Sequence, residues 1–164
     1  MFMSPDRPQF TIRRYLPADL ARLHEIDRSC FPPAIAYSLG ELRFYLAGRK
    51  AVGLVAEILH QIAGFAVGRC EENSVAHVIT LDVVLEARRQ GIGKALMDAL
   101  HEEFDRQGVT AVILEVSVEN LEARRFYEKL GYRAANLLRG YYNGEVDAYR
   151  MIRPGTAARE WKGG

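Results

Sequence analysis

A single carboxyl, that of Glu115, stands in an otherwise apolar run at residues 111–116 of this chain. If the run is a strand, burial withdraws water from the carboxyl, raises its pKa and makes it a better general base near neutral pH. Glu115 is therefore a candidate for removing a proton from a substrate. The alternative is a glutamate at a strand end that faces solvent.

A basic turn at residues 88–93, Arg-Arg-Gln-Gly-Ile-Gly, is a candidate anion site. Gly91 and Gly93 allow the backbone to bend sharply and to approach a ligand closely. The free N–H groups at the start of the following helix favour phosphate. The turn lacks the third glycine of a dinucleotide fingerprint and the Gly-Lys-Ser/Thr of a nucleoside-triphosphate loop. A strand-to-helix turn without a ligand is the alternative.

Hydrophobic periodicity and end signals predict the elements that position these residues. The apolar run at residues 77–85 is typical of a buried strand, and residues from 92 onward follow helical spacing until Gly108. Pro17 begins an earlier helix that Phe31 and two prolines end. Ser38 and Glu41 form a capping box for the next helix. The loop between these two helices is expected to form a wall of a binding cleft.

The predicted order of elements, β-α-α-β-β-β-α-β-α-β-β, indicates an α/β fold with one mixed central sheet of about seven strands and helices on both faces. We expect one domain at residues 9–153 and flexible termini at 1–8 and 154–164. The strands are predicted at 9–14, 51–57, 61–70, 77–85, 109–118, 132–138 and 146–152. Residues 141–144 are predicted to form the turn between the last two strands.

Composition excludes several classes of protein. A chain of 164 residues with 49% hydrophobic residues and a net charge of +1 predicts a soluble globular domain without a DNA-binding surface. Two cysteines without a CxxC motif and four histidines without ligand spacing predict neither a disulfide framework nor a metal site. No apolar stretch reaches about 18 residues, so we expect no membrane span and a cytoplasmic location. Composition leaves monomer and homodimer open.

The spacing Arg88-x-x-Gly91-x-Gly93 after a strand resembles the acetyl-CoA pyrophosphate loop of the GCN5-related N-acetyltransferase (GNAT) family. Residues 114–132, with Glu-Asn-x-x-Ala followed by Phe-Tyr-x-x-x-Gly-Tyr, are similar to the family's second conserved block. Residues 140–149 resemble a narrower group, the protein N-terminal acetyltransferases. That group includes the bacterial enzyme that acetylates the N-terminal alanine of a small ribosomal protein. The resemblance covers about residues 10–153 and implies the GNAT fold.

This resemblance also implies the reaction and the site. The expected activity is acetyl-CoA-dependent acetylation of a protein N-terminus, with a ribosomal protein as the candidate acceptor, by direct transfer in a ternary complex. Glu115 corresponds to the general base, His77 to a residue that relays a proton through water, and Tyr127 to the acid that protonates the CoA thiolate. The residues expected to hold acetyl-CoA are Val83, Val84, Arg88, Arg89, Gln90, Gly91, Ile92, Gly93, Lys94, Asn120 and Tyr127.

Three tyrosines, Tyr37, Tyr141 and Tyr142, are expected by the same resemblance to lie on two loops that clamp the first residues of the acceptor. Each assignment has a structural alternative. His77 could be purely structural, Tyr127 part of an aromatic core stripe, and Asn120 a helix cap. The three tyrosines could be solvent-exposed turn residues.

The sequence leaves two other functions open. One is the same chemistry on a small amine, such as a polyamine or an aminoglycoside. The other is a non-catalytic module that binds acyl-CoA. Because neither Cys30 nor Cys70 lies in a conserved block of the family, we expect no acetyl-cysteine intermediate.

Overall fold

The computed structural model describes residues 9–156, which form one seven-stranded sheet with four α-helices. The strands follow the order β1-β2-β3-β4-β5-β7-β6, and only β4 and β5 run parallel. This confirms the predicted mixed sheet and the predicted order of elements. The strands are β1 (Thr11–Arg14), β2 (Ala51–Ile58), β3 (Gln61–Cys70), β4 (Val75–Val83), β5 (Ala111–Ser117), β6 (Arg133–Tyr142) and β7 (Val146–Pro154). The helices are α1 (Leu20–Cys30), α2 (Leu39–Leu46), α3 (Ile92–Arg106) and α4 (Leu121–Lys129).

The helices cover both faces of the sheet, as predicted, and divide the apolar interior into two clusters. One cluster joins α3 and α4 to the sheet and includes Leu96, Leu100 and Phe104 of α3. The other joins α1 and α2 to the opposite face through Leu23 and Leu42. Because each helix buries its apolar side against the sheet, the connections at the sheet's edges remain available for a site.

The first two helices begin and end where their local signals predict. α1 follows a 3₁₀ turn at Pro17–Asp19 and ends at Phe31, whose extended backbone is what the following proline requires. At the start of α2, Glu41 N–H donates to Ser38 Oγ over 3.1 Å, and Ser38 N–H donates to Glu41 Oε1 over 3.3 Å. These ends fix the connection at residues 31–38 at both of its sides.

Strands β4 and β5 separate soon after they start. Their paired residues run only from Val75 and Ala111 to His77 and Ile113. β4 continues to Val83 without β5 beside it, so a gap opens in the middle of the sheet. This is the separation of strands that the family resemblance implies.

A bulge in β4 changes which side chains face α1. Val78 pairs with Gly68 and Thr80 with Val67, which leaves Ile79 as an extra residue. Val78 belongs to the cluster under α3 and α4, whereas Ile79 packs into the cluster under α1. Beyond the bulge Leu81 packs on the α3 side of the sheet. The residues that alternate with Leu81, Thr80 among them, therefore face α1.

The C-terminal hairpin differs from the prediction. Tyr141 and Tyr142, expected in a turn, are the last residues of β6, and the turn is formed by Asn143 and Gly144 with φ of 56° and 72°. β7 extends to Pro154, and Gly155 N–H donates to Thr110 O over 2.8 Å. Residues 154–156 are therefore part of the fold and not of a flexible tail. The remaining predicted termini, 1–8 and 157–164, lie outside the described residues.

Candidate active site

The basic turn forms a cradle of backbone N–H groups at the end of β4. A 3₁₀ turn at Leu85–Ala87 follows the strand, and Gly91 has a φ of 87°, a left-handed conformation that favours glycine. The first hydrogen bond within α3 runs from Ala95 N–H to Gly91 O over 3.0 Å, so the N–H groups just before it have no partner within the helix. These groups, together with the helix dipole, fit a phosphate.

The two arginines of the turn have different surroundings. Arg88 folds back, so that its Nε donates to Val83 O over 3.0 Å and its Nη2 lies 3.6 Å from Cys30 Sγ. Its side chain therefore ties the turn to the end of β4. Arg89 is exposed at the mouth of the cradle, with a φ of 63°. Lys94, in the first turn of α3, pairs with Asp98 over 2.7 Å at the surface.

A cleft of about 560 Å³ occupies the gap between β4 and β5 and continues to the cradle. It brings together most of the residues that the sequence predicts. The predicted residues that line it are Tyr37, Val83, Arg88, Arg89, Gly91, Ile92, Gly93, Lys94, Glu115, Asn120, Tyr127 and Tyr142. Val84 N–H donates to Ala63 O of β3 over 2.9 Å. Because successive N–H groups of a strand point to opposite sides, Val83 N–H points away from β3 and into the cleft.

Four predicted residues do not line this cleft. Val84 has its N–H engaged by β3, and Gln90 turns its side-chain amide toward Glu86 O at 3.5 Å. Tyr141 is 42% exposed, because successive residues of a strand point to opposite sides and Tyr142 takes the inward position. His77 lies behind Glu115 and reaches the cleft only through it.

Glu115 is held by two basic groups. Its side chain is 5% exposed; Oε2 lies 2.6 Å from His77 Nε2, and Oε1 accepts from Arg150 Nη2 over 2.9 Å and from Arg150 Nε over 3.2 Å. Arg150 stands directly opposite Glu115 in the β5–β7 ladder. Val118 N–H bonds Asp147 O in this ladder, so alternation makes Glu115 and Arg150 a non-hydrogen-bonded pair, whose side chains lie closer together.

The expectation that the pKa of Glu115 lies above its usual value is wrong. Burial is the largest single influence and acts upward, but the hydrogen bonds and charges of His77 and Arg150 together outweigh it. The pKa of Glu115 therefore lies below its usual value. The sequence did not indicate Arg150, because its position opposite Glu115 follows from the register of two strands far apart in the chain.

His77 connects Glu115 to the surface. Its Nε2 must carry a proton to bond the carboxylate of Glu115, and its Nδ1 lies 3.5 Å from Glu71 Oε1. Glu71 in turn accepts from Arg69 Nη2 over 3.1 Å and is partly exposed. The resemblance implies a relay through water, whereas here the two side chains are in direct contact.

Tyr127 and Asn120 lie on the α4 side of the cleft. The Tyr127 ring is 9% exposed, and burial, followed by the charges of Asp82 and Tyr142, raises the pKa of its phenol far above the usual value. The hydroxyl therefore keeps its proton at neutral pH and is able to donate it. Asn120 Oδ1 accepts from Ala123 N–H over 3.1 Å, so Asn120 caps α4 and lines the cleft at the same time.

The connection between α1 and α2 forms the opposite wall, as predicted. Tyr37 OH donates to Ile79 O over 3.3 Å, which anchors this wall to β4. Phe31, Pro32 and Ile35 also line the cleft, and the sequence did not predict them individually. The only feature of the sequence that points to them is their place in the loop between two predicted helix ends.

A sheet split between two parallel strands, with an anion cradle at one end of the gap and a carboxylate and a tyrosine within it, defines a transferase that uses an acyl-CoA. Residues 20–132 match the model of the Acetyltransferase (GNAT) family, and the chain belongs to this family. The protein is an acetyltransferase, and acetyl-CoA is its cosubstrate.

Similar proteins share most of their length with this chain. An uncharacterized N-acetyltransferase of Methanocaldococcus jannaschii is 36% identical over 145 residues, which cover 87% of this chain and 90% of that protein. An N-alpha-acetyltransferase of Saccharolobus solfataricus is 29% identical over a match that covers 88% of this chain and 93% of that protein. The ribosomal-protein-S18-alanine N-acetyltransferase of Escherichia coli has a similar structure, with a TM-score of 0.81, 26% identity, and coverage of 94% and 100%. Arabidopsis thaliana NAA60 in complex with acetyl-CoA gives a TM-score of 0.75 at 26% identity, with coverage of 89% and 98%.

Between residues 9 and 156 no helix is long and apolar enough to cross a membrane. The same residues contain no group of three or more His, Cys, Asp or Glu side chains placed to hold a metal ion.

Proposed function

We propose that this protein acetylates the N-terminal α-amino group of a protein, by direct transfer from acetyl-CoA in a ternary complex. The observation that carries the proposal is the contact of Glu115, a cleft carboxylate, with His77 and Arg150, since these two basic groups lower its pKa and make it a weak base. An α-amino group has a pKa of about 7.7 to 8.0 and a lysine about 10.4. Neutralising the lysine at pH 7 costs roughly 3 kcal/mol more. A weak base therefore suits the N-terminal amine better.

Relatives support the same class of acceptor. The relative from Saccharolobus solfataricus is named an N-alpha-acetyltransferase, and the similar Escherichia coli structure is that of an enzyme named for the alanine of ribosomal protein S18. We infer a protein N-terminus as the acceptor, with a ribosomal protein as the first to try. Such an acceptor is found in the cytoplasm, where the sequence predicts this protein to act.

Acetyl-CoA supplies the acetyl group as a thioester, which is activated toward amines. The cradle at residues 88–93 would hold its pyrophosphate, and Val83 N–H would donate to the acetyl carbonyl oxygen and stabilise the negative charge that develops there. Glu115 accepts the proton of the attacking amine, and His77, whose Nε2 proton bonds the carboxylate, holds Glu115 in place for this step. Tyr127 donates its phenolic proton to the departing thiolate.

Direct transfer is supported by the state of the cysteines. Cys30 lines the cleft, but burial, followed by the charge of Asp82, raises the pKa of its thiol, so the nucleophilic thiolate is scarce. Cys70 is the last residue of β3 and is buried in the core on the α3 side of the sheet. We expect the variant with both Cys30→Ala and Cys70→Ala to remain active. A trapped acetyl-enzyme in the unmodified protein would overturn direct transfer.

The experiment that tests the acceptor is mass spectrometry of peptides and small amines incubated with acetyl-CoA and the protein. Peptides beginning with Ala, Ser or Met, each with an internal lysine, are compared with a polyamine and an aminoglycoside. We expect acetylation at the peptide N-terminus and none when that terminus is blocked. Activity only on the small amines, or only on lysine, would refute the proposal. No turnover of any amine would favour a non-catalytic module.

A further inference from the structure

Two aspartates are buried against each other between α1 and β4, outside the groups that carry the reaction. Asp27 of α1 is 0% exposed and Asp82 of β4 is 1% exposed. The bulge at Ile79 turns Asp82 toward α1, where its carboxyl lies within hydrogen-bonding distance of the Asp27 carboxyl. Within residues 9–156 neither carboxylate forms a salt bridge with a lysine or an arginine. Two buried carboxyls in contact require an explanation, because two adjacent negative charges repel.

Two donor groups bond two of the four carboxyl oxygens. Tyr37 N–H donates to Asp27 Oδ2 over 2.6 Å, and the Thr80 hydroxyl donates to Asp82 Oδ1. The other two oxygens, Asp27 Oδ1 and Asp82 Oδ2, are inaccessible and have no donor in the described protein. Buried acceptors of this kind are costly unless they are bonded. One proton between the two carboxyls satisfies both oxygens at once.

We propose that Asp27 and Asp82 share a single proton and act as a positioning pair. The pair fixes the connection at residues 31–38, the acceptor wall of the cleft, to β4, the strand that binds the cofactor. The pair is linked to the wall because Asp27 holds the backbone of Tyr37. It is linked to the cofactor side because Asp82 immediately precedes Val83, whose carbonyl holds Arg88. The inference rests on the proposed function in one respect: it takes residues 31–38, the wall of the cleft that carries Tyr37, as part of the binding site for the acceptor.

The surroundings of the pair favour the shared proton. Burial, reinforced by the hydrogen bond and charge of Asp27, raises the pKa of Asp82 well above its usual value, and burial also raises the pKa of Asp27. The charged or titratable groups that face the pair are His24 and Cys30 of α1, Tyr37 of the connection after α1, Glu41 of α2, Arg88 of the turn after β4, and Tyr127 of α4. Arg88 is the one full positive charge among them, and its guanidinium is already bonded to Val83 O.

Loss of the proton has a defined consequence. Two negative charges then face each other in the interior, so Asp27 is driven from Asp82 and Tyr37 N–H loses its acceptor. The acceptor wall loosens, whereas the phosphate cradle, which is built from backbone N–H groups of α3, is unaffected. We therefore expect the KM for the acceptor to rise with increasing pH while the Kd for CoA changes little.

Carbon-13 NMR of the aspartate carboxyl groups in the full chain tests the shared proton directly and needs no acceptor. We expect two coupled carboxyls, one of which stays protonated at pH values where an ordinary aspartate is ionised, and loss of this behaviour in Asp82→Asn. If every aspartate carboxyl titrates near the ordinary value of about 3.9, the proposal is wrong.

Kinetics test the positioning role. Asp82→Ala is expected to raise the acceptor KM by about tenfold at pH 7, with less than about a twofold change in CoA affinity measured by calorimetry. Asp82→Asn, whose amide replaces the shared proton at every pH, is expected to recover most of that loss and to abolish the alkaline rise in KM. Equal losses in acceptor and CoA binding, or no recovery by asparagine, would overturn the role. If Asp82→Ala does not fold, the comparison of Asp82→Asn with the unmodified protein across pH decides.

These outcomes separate the inference from the proposed function. KM is measured with whichever amine the protein acetylates, so a small-amine acceptor would refute the proposed function and leave the pair testable. The NMR result could fail even when peptides are acetylated.

Discussion

Arg150 determines the acid-base character of the candidate base. Its guanidinium makes two hydrogen bonds to Glu115 Oε1, and with His77 it outweighs the effect of burial on the pKa of that carboxyl. Sequence reasoning identified Glu115 because its residue type and place in an apolar strand are visible locally. It did not give the direction of the pKa shift, because a pairing 35 residues away in the chain decides it.

Replacing Arg150 with methionine is expected to raise the pKa of Glu115, since burial then acts with one positive neighbour fewer. The acidic limb of the pH profile of kcat/KM should move upward by about one to two pH units. The measurement is the pH-rate profile with a saturating concentration of acetyl-CoA. Arg133→Met, at an exposed position on β6, is the matched control and should leave the limb in place. An unmoved limb in Arg150→Met would contradict the role of Arg150.

Tyr127→Phe removes one hydroxyl and keeps the buried ring. We expect kcat to fall by about 100-fold or more, because the departing thiolate loses its proton donor. CoA affinity, measured by calorimetry, should change by less than about threefold. An unchanged kcat would show that Tyr127 is only part of the aromatic core, the alternative that the sequence left open.

At the scale of elements, local signals were sufficient for most boundaries. The capping box at Ser38 and the prolines after α1 set their helix ends as predicted. The prediction failed at the β6–β7 hairpin, where Tyr141 and Tyr142 belong to the strand. Tyrosines next to Asn-Gly are compatible with either a turn or a strand end, and only pairing with β7 distinguishes them.

The N-terminal end of α3 offers a matched test of the cradle. Gly91 and Gly108, at the two ends of this helix, both have positive φ, of 87° and 74°. Alanine at either position adopts a left-handed backbone at a cost of about 1–2 kcal/mol. We expect both variants to lose similar thermal stability, but only Gly91→Ala to weaken CoA binding, by about tenfold. Equal CoA affinity in the two variants would argue against the cradle.

At the scale of the whole molecule, the sequence predicted the mixed sheet and the helices on both of its faces, since these follow from the order of elements. It did not predict the Asp27–Asp82 contact. That contact depends on the bulge, which moves the later residues of β4 to the opposite faces of the sheet, and on the packing of α1 against β4. Neither feature has a local signature in the residues around Ile79.

Global stability is expected to depend on His101, a buried histidine of α3 whose Nε2 lies 2.6 Å from the Tyr132 hydroxyl. Burial, followed by the charge of Arg153, lowers the pKa of His101 to about 4. The unfolded chain, with a histidine pKa of about 6.5, binds more protons between these values, so stability falls as pH decreases from about 6.5 to 4. The maximum contribution is about 3 kcal/mol.

Urea unfolding at pH 7 and pH 5 measures this loss. His101→Gln, whose amide preserves a hydrogen-bonding group without a titrating ring, should reduce the difference between the two pH values. His60→Gln, in the β2–β3 turn, is the control and should leave the difference unchanged. The same difference in all three proteins would exclude His101 as its source.

The short ladder between β4 and β5 also makes the cofactor part of the sheet's protection against solvent exchange. Only three residue pairs join the two halves of the sheet, and beyond them the N–H groups of Val83 on β4 and Ser117 on β5 face the gap. In deuterated water these amides should exchange quickly in the free protein and slowly with CoA bound, whereas Val84, already bonded to Ala63, should exchange slowly in both. The cleft thus occupies the length over which β4 and β5 are not paired. We expect a bound ligand to join the two halves of the sheet into one cooperative unit.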